Sequence, residues 1–160
     1  MRRDRSAALS RGATLPLVTT VHAFAPTLFV GLPARIELEV IDEWNARRAR
    51  VAAWYDEHLP REVLRPCVPD GLTHVYHLYV MRHPQRDAIA AACKERKVDC
   101  AAYYTTPLQR QPVFAALGHK VGDFPATDAA AEQNLAIPMH PNLSEAQVQE
   151  VAAAVAAGLA

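Results

Sequence analysis

Two tyrosines and two threonines stand side by side at Tyr103-Tyr104-Thr105-Thr106, directly before Pro107. Such side chains combine an apolar body with a polar tip, which suits the binding of a sugar or a nucleotide. Proline keeps the residue before it extended, so the segment is predicted to be a loop. Taken alone, these residues favour packing of the loop against its own domain over ligand binding.

His74 and His77 have the spacing of a His-x-x-His metal pair. On a strand, residues three apart point to opposite faces, so we predict one buried and one exposed histidine. The cysteines Cys67, Cys93 and Cys100 form no close pair in the sequence, and they lack the short knuckle of a zinc site. No metal site is therefore predicted, and Cys93 is assigned to the core.

Other catalytic patterns are missing from the sequence. The 6 glycines are not clustered into a phosphate-binding loop. Ser144 has the setting of a helix cap rather than a nucleophile, because Gln147 follows three residues later. The carboxylate pairs Asp42-Glu43 and Asp56-Glu57 are predicted to lie on a solvated helix face.

A long helix is predicted over residues 34–59. Val40, Trp44, Val51 and other apolar residues fall on one stripe, and Pro60 ends the helix. Residues 1–33 show no period and are treated as a leader, either disordered or foreign to the domain at 34–160. The leader's arginines and its Ala23-Phe24-Ala25 also resemble a signal peptide, which is a second interpretation.

Shorter elements follow the long helix. Strands are predicted at residues 75–81 and 98–104, and helices at 87–97, 112–117 and 125–134. A last helix begins at the Ser144 cap, with Val148, Val151 and Val155 as its buried stripe. Strands separated by helices, behind a long lead-in helix, indicate a small α+β domain.

Composition excludes several classes of protein. The 160 residues suit one domain, and 17 basic against 17 acidic residues give a net charge of +0, which argues against nucleic-acid or anionic-membrane binding. The odd number of cysteines favours the cytoplasm over an oxidising compartment. No apolar run reaches the length of a membrane span.

Five segments of the chain form a recognisable series. They are Ile41-Asp42-Glu43-Trp44-Asn45-Ala46-Arg47-Arg48, Tyr76-His77-Leu78-Tyr79-Val80, Tyr103-Tyr104-Thr105-Thr106-Pro107-Leu108-Gln109, Gly122-Asp123-Phe124-Pro125-Ala126-Thr127-Asp128 and Leu135-Ala136-Ile137-Pro138-Met139-His140-Pro141. In these segments and their order, about residues 36–155 resemble the C-terminal domain of the DegT/DnrJ/EryC1/StrS family of aminotransferases.

The resemblance implies the small C-terminal domain of a fold-type I enzyme that uses pyridoxal phosphate (PLP). Such an enzyme transfers an amino group from an amino acid, usually glutamate, to a nucleotide-linked keto-sugar in polysaccharide or natural-product biosynthesis. It further implies substrate contacts from Tyr103, Tyr104, Thr105 and His77. The family's two loop histidines are replaced by Tyr103 and Gln109, so either a changed sugar preference or a loss of activity is expected.

The resemblance also implies that catalytic parts lie elsewhere in the family. Lys94, Lys97 and Lys120 are the only lysines, and none stands in the family's Ser-His-Lys setting. We therefore expect a truncated enzyme that is inactive alone and holds no PLP covalently. A non-catalytic domain that docks on an aminotransferase large domain, or pairs as a homodimer, is the alternative, and an independent enzyme comes third.

Overall fold

The computed structural model describes residues 32–160, with side chains from Leu38 onward. The chain divides into two units, Met1–Val40 and Ile41–Ala160, and the sheet and the core belong to the second. The predicted leader lies outside the described residues, except for its last two positions. The elements are α1 (Leu32–His58), β1 (Tyr79–Arg82), α2 (Arg86–Glu95), two 3₁₀ helices (Leu108–Arg110 and Pro112–Leu117), α3 (Pro125–Gln133), β2 (Asn134–Ile137) and α4 (Glu145–Ala157).

Helix α1 confirms the predicted long helix and ends two residues before Pro60. Its C-terminal half is buried at Val51 and Tyr55, whereas Trp44 is half-buried and lies outside the core cluster. Leu59, the residue after the helix, is buried as well. Val51 is therefore part of the core, whereas Val40 and Trp44 of the same predicted stripe are only partly buried. No described helix is both long enough and apolar enough to cross a membrane.

The sheet consists of β1 paired antiparallel with β2, with Tyr79 opposite Ile137 and Arg82 opposite Asn134. The predicted strand 75–81 begins late, because Tyr76 has a φ of 49° and its N–H donates to Nδ1 of His74 at 2.8 Å. A left-handed residue cannot continue a pleated strand. This turn also leaves both His74 and His77 exposed, which corrects the predicted buried and exposed pair.

The predicted second strand, 98–104, is reduced to one bridge. Ala101 exchanges backbone hydrogen bonds with Ala136 at 3.1 and 2.7 Å, and the chain then leaves the sheet. The partner of β1 is instead β2, which sequence analysis did not identify as a strand. All four residues of β2 are buried, so the alternation that marks a half-exposed strand is lacking.

Helices α2 and α4 pack against each other beside the sheet and α1. Ile89 and Cys93 of α2 meet the buried stripe of α4, where Val148, Val151 and Val155 are buried as predicted. The capping box also forms: the Gln147 N–H donates to Ser144 Oγ at 3.3 Å, and the Ser144 N–H donates to Gln147 Oε1 at 2.9 Å. A local sequence signal, the capping box of Ser144 and Gln147, therefore defines the start of α4.

The thiols of Cys93 and Cys100 interact, although the residues are not adjacent in the sequence. Both cysteines are free, Cys93 is fully buried, and Cys100 is half-buried. Burial, followed by the neighbouring Cys100 thiol, raises the pKa of Cys93 to about 12. Its thiol therefore stays protonated at neutral pH and behaves as an apolar core group.

Candidate functional site

A cavity of about 350 Å³ lies between β1, α3 and the loop that carries the two tyrosines. β1 contributes Val80 and Arg82, which alternate with the buried Tyr79 and Met81 and therefore lie on the face away from the core. The remaining walls come from the loop, from α3 and from the start of β2. They are Tyr103, Tyr104, Thr106, Pro107, Leu108, Thr127, Ala130, Ala131 and Asn134.

Tyr103 and Tyr104 form an exposed aromatic rim of this cavity. Their rings meet edge to face, with centroids 6.0 Å apart and an angle of 82° between the planes. Half of Tyr103 and 77% of Tyr104 remain exposed. Two aromatic surfaces beside a cavity can contact a planar base or the apolar face of a sugar ring.

Asn134 holds this rim in place. Its Oδ1 accepts from the Tyr103 N–H at 2.7 Å, and its Nδ2 donates to the carbonyl oxygen of Tyr104 at 3.3 Å. The same Nδ2 donates to the Ala130 carbonyl oxygen at 2.8 Å, at the end of α3. Because Asn134 is buried, these bonds substitute for the β-ladder that the loop abandons after Ala101.

The other predicted contact residues lie differently. Thr105 is exposed and does not line the cavity, whereas Thr106 does. His77 is exposed in the turn before β1 and is also outside the cavity lining. The structure thus brings Tyr103 and Tyr104 together at one cavity, and substrate contact by all four residues remains a prediction.

Arg82 and Asn134 are two polar cavity residues that sequence analysis missed. They stand directly opposite each other across the sheet, so their proximity depends on the register of β1 and β2. Alternation along β1 was the available signal, since it places Val80 and Arg82 on one face. A strand predicted to end at Met81 excluded Arg82 from consideration.

A buried carboxylate fixes the segment that leads into α3. Oδ2 of Asp128 accepts from the Gly122 N–H at 2.8 Å, and its Oδ1 lies 3.3 Å from a guanidinium nitrogen of Arg110. The carboxylate thereby joins the first 3₁₀ helix to the start of α3, which forms one wall of the cavity. We assign Asp128 a structural role on these contacts.

Among the described residues, Glu57, His58 and Glu145 are the group whose ligand atoms lie close enough for a metal ion, within 4.8 Å of one another. His58 Nε2 lies 3.1 Å from Glu145 Oε1, which joins α1 to α4. Both glutamates are exposed, and the hydrogen bond between His58 and Glu145 accounts for the cluster.

The lysines do not fit covalent attachment of PLP. Lys94 lies in the last turn of α2, Lys97 lies just after that helix, and Lys120 lies in the loop before α3. All three are exposed. None of them lines the cavity. An amine that forms a Schiff base needs a site that orients the cofactor and lowers the amine's pKa.

Comparisons with known proteins agree on one family. The model of the DegT/DnrJ/EryC1/StrS aminotransferase family matches residues 33–156. The "Pleiotropic regulatory protein" of Geobacillus stearothermophilus is 40% identical over 120 residues, which are 72% of this chain and 32% of that protein. The UDP-N-acetyl-3-dehydro-alpha-D-glucosamine 3-aminotransferase of Acidithiobacillus ferrooxidans is 33% identical over 123 residues, 76% of this chain and 32% of the relative.

A solved structure supports the same assignment. The crystal structure of S. venezuelae DesV in complex with ketimine intermediate aligns with a TM-score of 0.72 and 30% identity. The alignment covers 76% of this chain and 33% of DesV. The chain thus spans about a third of the length of the proteins it matches. Sequence and fold agree over the same region, and the chain belongs to the DegT/DnrJ/EryC1/StrS aminotransferase family.

Proposed function

We propose that the chain provides the C-terminal, substrate-contacting domain of a PLP-dependent aminotransferase that acts on a nucleotide-linked keto-sugar. The observation that carries the proposal is the cavity beside Tyr103 and Tyr104, in a chain of this family. The A. ferrooxidans relative is named for a UDP-linked sugar, and an Aneurinibacillus thermoaerophilus relative for a dTDP-linked one. The amino donor in this proposal is an amino acid, namely glutamate.

The size and lining of the cavity suit part of such a substrate. A volume of about 350 Å³ falls at the lower end of the range for small-molecule sites. The two tyrosine rings supply flat apolar surface with hydroxyl tips, and Thr106 and Thr127 add hydroxyl groups. A sugar ring needs both kinds of contact, because its apolar face and its hydroxyls must each be matched.

In this proposal the cofactor and its lysine come from a part of the family's architecture that this chain does not match. The exposed lysines support this division, as does the third of the relatives' length that the chain spans. This chain's contribution would then be to bind and orient the sugar nucleotide and to exclude water. Orientation alone can supply a large part of a rate enhancement.

An exposed apolar segment supports contact with another domain. Between the aromatic loop and α3, Leu108, Val113, Leu117 and Val121 each retain at least 64% of their exposure. Adjacent exposed apolar side chains mark interaction surfaces. We propose that the large, PLP-carrying domain of an aminotransferase covers this segment, and that cavity and cofactor face each other as a result.

A non-catalytic docking domain is the second candidate. The exposed lysines favour it, and so does the name of the G. stearothermophilus relative, which describes regulation. Such a domain would keep the apolar segment as a contact surface and would not need the cavity. Ligand binding in the cavity therefore separates the two candidates.

The test is binding of UDP-N-acetylglucosamine and dTDP-glucose to the ¹⁵N-labelled chain, followed by NMR. We expect millimolar binding, with shifts concentrated at residues 103–106 and 127–134, and loss of binding in Tyr104→Ala. Val121→Ala, which removes an exposed apolar side chain outside the cavity, is the matched control and should bind normally. Absence of saturable shifts with either nucleotide, or equal binding by Tyr104→Ala, would overturn the proposal.

A further inference from the structure

Arg82 is held firmly on the cavity side of β1. Its backbone pairs with Asn134 of β2 on one side and with Leu64 on the other. The two bonds with Leu64 measure 3.0 and 2.9 Å. A backbone that is paired on both edges fixes the direction in which its side chain leaves the strand, so Arg82 extends from a defined position into the cavity lining.

Most of the hydrogen-bond donors of Arg82 have no acceptor among residues 38–160, whose side chains the structure describes. A guanidinium carries five N–H donors. One terminal nitrogen of Arg82 lies 3.4 Å from Gln133 Oε1, a long contact, and the buried Nε has no acceptor within the described part of the chain. The guanidinium of Arg86, by contrast, donates hydrogen bonds to Asp87 Oδ1 at 2.6 Å and to the Ala131 carbonyl oxygen at 3.3 Å.

The charge of Arg82 is also unbalanced inside the cavity. None of the described residues that line the cavity is acidic, and Arg82 is the one ionised side chain among them. Asp128, on the neighbouring helix, is already engaged by Arg110. A half-buried positive charge without a counter-charge favours the entry of an anion, and burial strengthens that attraction.

We propose that Arg82 is an anion-binding residue, which receives an oxyanion of the ligand on its guanidinium. The planar fork of an arginine matches two oxygens of a phosphate or of a carboxylate. The inference deepens the proposed function and rests on it for the identity of the ligand. In that context the oxyanion is either a phosphate of the nucleotide sugar or a carboxylate of the amino donor.

The experiment compares the intact chain with Arg82→Gln and with Arg61→Gln. Arg61 is exposed and lies outside the cavity lining, so its change removes the same charge without touching the cavity. Each protein is titrated with UDP in one arm and with L-glutamate in the other, and binding is followed by NMR at low and high salt. Thermal unfolding of each variant verifies that it is folded.

We expect Arg82→Gln to weaken binding of one of the two ligands by about tenfold or more, the usual size for a lost charge-assisted hydrogen bond. Binding to the intact chain should weaken with salt, and Arg61→Gln should change little. A UDP effect identifies the phosphate, and a glutamate effect identifies the carboxylate. Equal affinities of Arg82→Gln and the intact chain for both ligands, or no binding of either ligand, would overturn the inference.

The two proposals fail separately. If UDP-N-acetylglucosamine binds through Tyr104 and Arg82→Gln binds it equally well, the anion-binding role is wrong and the proposed function stands. If neither nucleotide sugar binds while L-glutamate binds through Arg82, the anion-binding role stands and the sugar-nucleotide function fails. Should Arg82→Gln unfold, Arg82→Lys retains the charge without the fork and should show an intermediate affinity.

Discussion

Two regions of this molecule differ in how far their apolar side chains are buried. In the layer formed by α1, α2 and α4, Ile89 and Val155 have no exposed surface. Between the aromatic loop and α3, Val113 and Val121 retain 79% and 70% of their exposure. The first region therefore holds the domain together, and the second contributes little to its stability and is available for contacts with a ligand or another domain.

The same two regions also differ in how much they depend on polar contacts. The buried layer uses few polar contacts, such as the bond from the Tyr55 hydroxyl to the Pro138 carbonyl oxygen at 2.6 Å. The aromatic loop depends instead on Asn134, and the segment before α3 depends on Asp128. These two are the buried polar residues of the described chain. Where apolar burial is scarce, hydrogen bonds from buried side chains define the backbone.

The sharpest way to test this comparison is to truncate one apolar side chain in each region. Ile89→Ala should lower the free energy of unfolding by about 2–5 kcal/mol, because it leaves a cavity between α2 and α4. Val113→Ala should change it by less than about 0.5 kcal/mol. Urea unfolding measures both. Similar losses in the two variants would show that the exposed segment is part of the stabilising core.

A second variant tests how closely the buried layer is packed. A Cβ added at Gly158 would overlap the backbone of Ile89, since the end of α4 lies against α2 at this point. Gly158→Ala should therefore lower the free energy of unfolding by about 1–3 kcal/mol through strain, although alanine has a higher helix propensity than glycine. Ala156→Gly, at an exposed position of α4, is the control and should cost no more than about 1 kcal/mol. A neutral or stabilised Gly158→Ala would mean that the two helices separate easily.

A substitution at Asn134 tests how the exposed region is held in place. Asn134→Ala removes the acceptor of the Tyr103 N–H and the donor to the Tyr104 carbonyl oxygen, and we expect a loss of about 1–3 kcal/mol. Hydrogen exchange should rise at residues 103–106 while the amides of α4 stay protected. Asn142→Ala, at an exposed residue, is the control. Unchanged exchange in the aromatic loop would contradict the positioning role of Asn134.

The sequence predicted the buried layer better than the exposed region, because its signals are local. Pro60 marks the end of α1, and the Ser144 capping box marks the start of α4. The pairing of β1 with β2 depends on contacts between residues more than 50 positions apart. β2 also lacks the alternation of a half-exposed strand, because both of its faces are covered.

Sequence analysis predicted the site residues that stand out by their type and missed those that come together only through the register of the sheet. Tyr103 and Tyr104 attract notice in the sequence because aromatic and hydroxyl groups are concentrated there. Arg82 and Asn134 meet only because β1 and β2 pair in one particular register. Such a pair can be found from sequence only after the sheet is known.

The smallest expected effect concerns a contact between a charged side chain and a buried tyrosine. The Tyr79 hydroxyl donates to Asp56 Oδ1 at 2.6 Å. Burial, followed by this hydrogen bond, raises the pKa of Tyr79 above its ordinary value of about 10. The unfolded chain thus loses the phenol proton at a lower pH than the folded chain. The stability that this group contributes is complete below about pH 10 and is lost as the pH rises further.

Tyr79→Phe keeps the ring in the core and removes the titrating group. We expect a loss of about 1 kcal/mol at neutral pH and a shallower decline of stability above about pH 10. Tyr55 and Cys93 also have raised pKa values, so part of the decline should remain. Tyr103→Phe, in the exposed rim, is the matched control, and denaturant unfolding between neutral and alkaline pH is the measurement. If Tyr79→Phe declines as steeply as the unmodified chain, the hydroxyl of Tyr79 is not coupled to folding, and the polar contact with Asp56 belongs to the solvated surface rather than to the core.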